Sequence, residues 1–227
     1  MALNRLEFNL SLINPLTTQK MDCYLTCPRG LEDITASGIS EFCDYVKPKY
    51  GGVAFSGDLS SLYSVNYHSR TGMYALIKLC EHTVKNEYDL YSKITELAWF
   101  EWISHDTPIA IRTRGNSKLS SNPQYLTLKI KDAIIDNLRR NTKRRPDIDK
   151  EDPFYSLFVF INEKNVQIFL NSSGESLSKR GYRDKIHKAS LNEALAAGIV
   201  LLSGWKPELP LYDPMSVSYT HLRAHET

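Results

Sequence analysis

Apolar positions along this chain change period several times, and each change marks an element. The short alternating run Cys23 to Thr26 predicts a strand. Pro28-Arg29-Gly30 then turns it into a helical stretch from Leu31 to Phe42, with Leu31, Ile34, Ile39 and Phe42 near one face. Tyr45 to Lys47 and Val53 to Phe55, separated by Gly51-Gly52, predict a hairpin, and Asp58 is placed to cap a helix carrying Leu59, Leu62 and Tyr63 toward Arg70. An apolar strand from Met73 to Cys80 completes a small split α/β layer of the ferredoxin-like kind.

A second unit starts near Tyr88, where Leu90, Ile94, Leu97 and Ala98 keep helical spacing. Ile109 to Arg114 alternates as a strand, with Arg112 and Arg114 on one face, and the polar run Gly115 to Lys118 reads as a loop. Asn122-Pro123 is a helix cap with proline at the first helical position, opening a helix to about Asn141 that buries Leu126, Ile130, Ala133, Ile134 and Leu138. Leu157 to Ile161 and Val166 to Leu170 are strands of a hairpin whose loop is Asn162 to Asn165. The many aromatic residues of this half are mostly at core spacing. An apolar helix from Ala189 to Trp205 and a short strand from Leu209 to Asp213 follow.

Charge changes this picture. The net charge is only +2, but between Arg112 and Arg145 ten basic residues face two acidic ones, and Lys179 to Lys188 adds five against one. Clustering of that kind is an electrostatic footprint for a phosphate backbone. The competing reading is a solvated helix face whose charges pair internally, for which Lys129 with Asp132 and Asp136 with Arg140 have the spacing. Arg139, Lys143, Arg144 and Arg145 have no such partners.

Other chemistry is bounded by what the motifs lack. The four cysteines show no zinc-type pairing and read as buried reduced thiols. No apolar run is long enough for a membrane span, and residues 1–20 lack the pattern of a secretory signal, so the default location is cytoplasmic. Neither a His-Glu-x-x-His pattern nor a Gly-x-x-x-x-Gly-Lys loop is present. Asn122-Pro123-Gln124-Tyr125 looks like the loop of an amino-group methyltransferase, but it opens a basic amphipathic helix some ninety residues before any cofactor strand, and helix capping explains it better.

Several blocks carry a family resemblance. Asn116-Ser117, Gln124-Tyr125 through Ile134, Arg145-Pro146, and Ser173-Gly174 through Arg180-Gly181-Tyr182-Arg183 resemble a THUMP RNA-binding domain, in the variant found at the front of bacterial 23S rRNA guanine-N2 methyltransferases. Cys27-Pro28-Arg29-Gly30-Leu31-Glu32 is similar to the first strand and turn of that family's ferredoxin-like domain. Leu191 to Gly198, Ser203-Gly204-Trp205 and Pro210-Leu211-Tyr212-Asp213-Pro214-Met215 are similar to the entry of its Rossmann-like methyltransferase domain. The resemblance implies an α+β chain: a ferredoxin-like domain at 21–87, a THUMP domain at 88–183, and the first helix and strand of a truncated Rossmann-like methyltransferase domain at 184–215. Residues 1–20 are then a spurious or disordered extension, and 216–227 an artefactual tail.

In function, the resemblance implies positioning of structured rRNA, 23S by preference, for adenosylmethionine-dependent guanine-N2 methylation. RNA would be held by Arg112, Arg114, Lys118, Lys129, Arg139, Arg140, Lys143, Arg144, Arg145, Arg180 and Arg183. Asp213 and Pro214 are a remnant of the cofactor loop. The family continues with Cys-Gly-Ser-Gly-Thr where this chain has Ser216-Val217-Ser218-Tyr219-Thr220, so the remnant is not expected to bind adenosylmethionine, and no cofactor, metal or catalytic residue is expected here. Two other readings stay open. One is the THUMP part of a tRNA-modifying enzyme, although a thiouridine synthetase would continue into a Ser-Gly-Gly-x-Asp loop that is absent; the other is a non-catalytic RNA-binding or ribosome-assembly protein. The segment from 189 onward is expected to be poorly folded by itself. Its helix would dock on the THUMP domain, drive oligomers or stay partly exposed.

Overall fold

The computed structural model describes residues 20–103, 107–119, 122–143, 153–180 and 191–212. They form two compact units: Lys20–Ala75 with the described residues from Glu175 onward, and Leu76–Gly174.

In the first unit β1 (Met21–Thr26) and β2 (Tyr45–Lys49) flank β3 (Gly52–Gly57), all antiparallel, with Cys23 opposite Phe55 and Val46 opposite Phe55. The period-2 pattern sends Cys23, Leu25, Val53 and Phe55 to one buried face. Helices α1 (Glu32–Ile39) and α2 (Leu59–His68) contact β3. The predicted helix to Phe42 stops at Ile39 and finishes as a 3₁₀ turn, Ser40–Phe42. Asp58 caps α2 as expected, its Oδ1 accepting from Ser61 N at 2.9 Å. Glu32 joins two turns, accepting from Gly30 N at 2.7 Å through Oε2 and from Gly51 N at 3.0 Å through Oε1.

Helix α5 (Glu193–Leu202) belongs to this unit and stays partly exposed, one of the outcomes expected for it, with Ile199, Leu201 and Leu202 open to solvent. Its small face, Ala194, Ala196, Ala197 and Gly198, is buried, and it packs on α1. A Cβ at Gly198 would lie 2.3 Å from Leu31 Cδ1, so a larger residue there would require the Leu31 side chain to shift. Asn192 caps the helix, accepting from Ala194 N and Leu195 N at 3.0 and 3.2 Å. The helix is shorter than the predicted Ala189 to Trp205, and residues 209–212 lie in no strand; Asp213 is outside the described residues.

The second unit holds β4 (Tyr74–Thr83, from Leu76 onward), α3 (Glu87–Thr95), a 3₁₀ turn Trp99–Glu101, β5 (Ile109–Ser117), α4 (Pro123–Thr142), β6 (Tyr155–Glu163) and β7 (Asn165–Asn171). Strand order is β4-β7-β6-β5; β5 and β6 are parallel and the other pairs antiparallel. Two sequence expectations change here. β5 runs on through the polar residues to Ser117, because parallel pairing with β6 continues as far as Ser117 opposite Glu163. The β6–β7 connection is tighter than four residues: Asn162 pairs with Asn165, and Glu163 takes a left-handed φ of 55°. Trp99, 1% exposed, anchors the core beneath α3 and donates from Nε1 to Ile94 O at 2.7 Å. Among the described residues no helix is long and apolar enough to cross a membrane.

Candidate nucleic-acid interface

Strand alternation divides β5 between two surfaces. Ile109 is buried on the side that α4 covers, and Arg112, Arg114 and Asn116 are exposed on the other. The ladder puts Arg112 beside Phe158 and Arg114 beside Phe160, with Phe169 and Gln167 next in line on β7. The Arg112 guanidinium lies 5.8 Å from the Phe158 ring centroid, and Phe160 meets Phe169 edge to face at 5.5 Å. Phe158 and Phe169 are buried, so what this edge presents to solvent is the pair of exposed guanidinium groups, which are suited to holding phosphates. Between the arginine and the asparagine stands Gly115 at φ 109°, where a Cβ would be 2.0 Å from Ile161 O. The close approach of β5 to β6 at this point therefore needs glycine.

Lys118 continues the strand end but is not free: its Nζ is 2.6 Å from Glu163 Oε1, and its N donates to Glu163 O at 3.1 Å. Both side chains are largely exposed, and such a pair is worth about 0–1 kcal/mol, so a phosphate can displace the carboxylate at little cost.

The other predicted helical residues are distributed along α4. Asn122 Oδ1 accepts from Gln124 N at 2.9 Å and Tyr125 N at 3.4 Å, which bears out capping as the role of the Asn-Pro-Gln-Tyr run. Leu126, Ile130, Ala133, Ile134 and Leu138 are buried as predicted, and Asn137 is buried with them because its Nδ2 donates to Thr95 O and Leu97 O at 2.7 and 2.9 Å. The helix ends at Lys143, in the left-handed region at φ 57°, with Arg139 and Arg140 exposed in its last turn, where cations favour the helix dipole. A helix joining two parallel strands runs antiparallel to them. Arg139, Arg140 and Lys143 therefore sit at the opposite end of the sheet from Lys118, and on the opposite side from Arg112 and Arg114.

The internal pairs expected from spacing do not form. Asp132 meets Lys131 at 3.8 Å, while Asp136 accepts from the Tyr91 hydroxyl at 2.5 Å. Lys129, expected to be a simple phosphate ligand, lies between two tyrosines, 5.8 Å from the Tyr88 ring centroid and 5.7 Å from that of Tyr125. Among the described residues no carboxylate is within ion-pair distance of Arg112, Arg114, Arg139, Arg140 or Lys143.

Arg180 is held by backbone carbonyls. It lies in the first unit, where its Nη2 donates to Asn66 O at 3.0 Å and Ser69 O at 2.9 Å, carbonyls at the end of α2. These bonds satisfy carbonyls at a helix end through one nitrogen of the guanidinium group. Arg144, Arg145, Arg183, Asp213 and Pro214 lie outside the described residues.

Sequence reasoning missed the tyrosines. Tyr88 is 81% exposed and Tyr125 37%, so neither is core, and the Tyr125 hydroxyl donates to Glu87 Oε2 at 2.7 Å, which raises its pKa and keeps the phenol protonated. The available signal was that Tyr88 falls off the Leu90–Ile94 stripe. Of the thiols, burial pushes Cys23 and Cys80 up to about 12 and Cys43 to about 11, which makes them poor nucleophiles. Among the described residues no group of His, Cys, Asp and Glu is arranged to hold a metal ion.

Comparison with known proteins gives these surfaces a context. Residues 22–73 match the RlmL ferredoxin-like domain, residues 84–171 the THUMP domain, and residues 180–220 the RMKL-like methyltransferase domain. Over 200 residues the chain is 36% identical to a curated Synechocystis sp. protein named "Putative RNA methyltransferase", covering 88% of this chain and 52% of that one. The crystal structure of a predicted N6-adenine-specific DNA methylase from Listeria monocytogenes is similar at a TM-score of 0.76 and 26% identity, over 89% of this chain and 53% of that one. A second crystal structure, titled as a "putative methyltransferase complexed with SAH", shares the fold at a TM-score of 0.72 and 22% identity, over 85% of this chain and 51% of its own. The chain thus spans about half the length of the curated relative it matches. It joins a ferredoxin-like domain and a THUMP domain to sequence that matches an RMKL-like methyltransferase domain.

Proposed function

We propose that this chain binds structured RNA and positions it for adenosylmethionine-dependent methyl transfer, with 23S rRNA as the substrate and a guanine N2 as the target, in the cytoplasm. The observation that carries the reading is the arginine edge of β5, the exposed Arg112 and Arg114, inside the segment that matches the THUMP domain. Structured RNA is recognised largely through its backbone and shape, which unpaired guanidinium groups on a rigid strand can read. A strand fixes these groups more precisely than a loop, and fixed phosphates raise the effective concentration of one nucleotide at a methyl-transfer site.

The curated RNA methyltransferase relative and the methyltransferase-family match over 180–220 support the methylation part of the reading. The SAH named with one structural neighbour is consistent with adenosylmethionine as donor. Asp213 and Pro214 are the donor-side residues we assign on this chain, as a remnant that does not hold the donor alone. The guanine-N2 and 23S assignments rest on the sequence resemblance, and the RNA-holding residues form the 88–183 domain of that reading.

The test is anisotropy of labelled 23S rRNA fragments against this chain over a salt series. The logarithm of affinity should fall linearly with that of salt concentration, and Arg112→Ala with Arg114→Ala should reduce the slope by roughly one for each phosphate that is no longer neutralised. A salt-independent affinity, or an unaltered slope in the double variant, would refute the assignment. Tight adenosylmethionine binding by this chain in calorimetry would refute the division of labour, and equal affinity for tRNA would refute the 23S preference.

A further inference from the structure

Tyr88, Tyr125 and Lys129 form a constellation that the fold does not need. Tyr88 is in the first turn of α3 and Tyr125 in the first turn of α4, with Lys129 one turn beyond Tyr125. The Tyr88 ring is 81% exposed and so buries little of the core, yet both rings are held close to one ammonium group, at 5.8 and 5.7 Å.

The backbone beneath them is fixed at both places. Asn86 caps α3, its Oδ1 accepting from Asp89 N at 2.9 Å, and Asn122 caps α4. The Tyr125 ring is held further by its hydroxyl bond to Glu87. Nearby acids are already engaged: Glu87 by that hydroxyl, and Asp89 by Lys85 N at 2.8 Å and Lys93 Nζ at 3.4 Å. A rigid aromatic face costs little conformational entropy to use, and a base stacks on it whatever its identity. The ammonium between the rings is within reach of a phosphate on the same nucleotide.

We propose that Tyr88 and Tyr125 form a stacking site for an unpaired nucleobase of the bound RNA, and that Lys129 takes the adjoining phosphate. The inference rests on the RNA-binding reading and deepens it by naming the nucleotide state that the site selects. It also gives Tyr125 a role besides its place in the helix cap, at a surface distinct from the Arg112–Arg114 edge.

The experiment compares two labelled RNA hairpins that bear the same short unpaired tail, one with bases and one with abasic residues, binding to the full chain. Stacking of one base predicts a preference of about fivefold or more for the tail with bases. Tyr88→Ala should bring the ratio to about one, and Tyr88→Trp should restore it; the 81% exposure of the site leaves room for both side chains. Lys129→Gln should lower the salt slope by about one. Equal affinity of the native chain for both tails, or a ratio that survives Tyr88→Ala, overturns the stacking site while leaving RNA binding in place. Failure to bind either hairpin overturns both readings together.

Discussion

Gly115 offers a quantitative test of how the arginine edge is built. At φ 109° an alanine adopts a backbone that L residues avoid, which costs about 1–2 kcal/mol. Its Cβ would also stand 2.0 Å from Ile161 O, 3.0 Å from Ile161 C and 3.2 Å from Ile161 N, atoms of a paired strand that cannot rotate away. Relieving the clash requires β5 and β6 to separate by about 1 Å locally, and forcing extra atoms into a packed site typically costs about 1–3 kcal/mol. Gly115→Ala should therefore destabilise the unit by about 2–5 kcal/mol in total.

Gly174 supplies the control, since its φ is 69° and a Cβ there meets nothing within 4 Å. Gly174→Ala should cost only the conformational part, about 1–2 kcal/mol. Because two compact units need not unfold together, hydrogen exchange of peptides covering β5 and β6 is a better measure than one global transition. Ladder amides in Gly115→Ala should open at least roughly fivefold more often than in Gly174→Ala, the equivalent of the about 1–3 kcal/mol that separates the two variants. Equal protection in the two variants would show that the approach to Ile161 does not constrain the strand.

Other outcomes are equally open to measurement. Replacing Arg139, Arg140 and Lys143 together by Ala should lower RNA affinity and reduce the salt slope in anisotropy while the thermal midpoint stays near that of the native chain, because exposed charges contribute little to stability. Trp99→Ala should cost about 3–5 kcal/mol in the Leu76–Gly174 unit, read by urea unfolding, since it removes a buried indole and the bond to Ile94 O. Hydrogen bonds from Asn165 Nδ2 and Lys78 Nζ hold Glu81 below its ordinary value of 4.5, at about 2. The stability it contributes is present above pH 4.5 and is lost as pH falls through about 2, so Glu81→Gln should remove that part of the acid limb in a pH series of unfolding curves. Asp58→Ala should destabilise the start of α2 and raise exchange at the Ser61 amide.

Local chemistry made most elements legible and left their partners obscure. Helix α4 could be read from Asn122-Pro123 and the spacing of Leu126, Ile130 and Ile134, because cap and apolar stripe are both encoded within a few residues. The second half of β5 could not: Gly115 and Asn116 carry loop chemistry, and only pairing with β6, more than forty residues on, keeps them in a strand. Arg180 read as an RNA-binding residue because charge is visible in sequence, whereas its bonds to the Asn66 and Ser69 carbonyls are made by the fold and could not be read there. Lys129 was found for its charge, but the rings beside it depend on two helix starts meeting. In α5 an Ala-rich run announces burial without naming the surface that provides it.

The contact between Gly198 and Leu31 has a consequence for inheritance. Residue 198 lies in sequence that matches a methyltransferase domain, and residue 31 in sequence that matches a ferredoxin-like domain, yet one is the socket of the other. Recombination that exchanged either segment alone would separate a glycine from the leucine it accommodates. The segments should therefore travel together through evolution, with enlargement at 198 favoured where the residue at 31 is smaller or can turn aside.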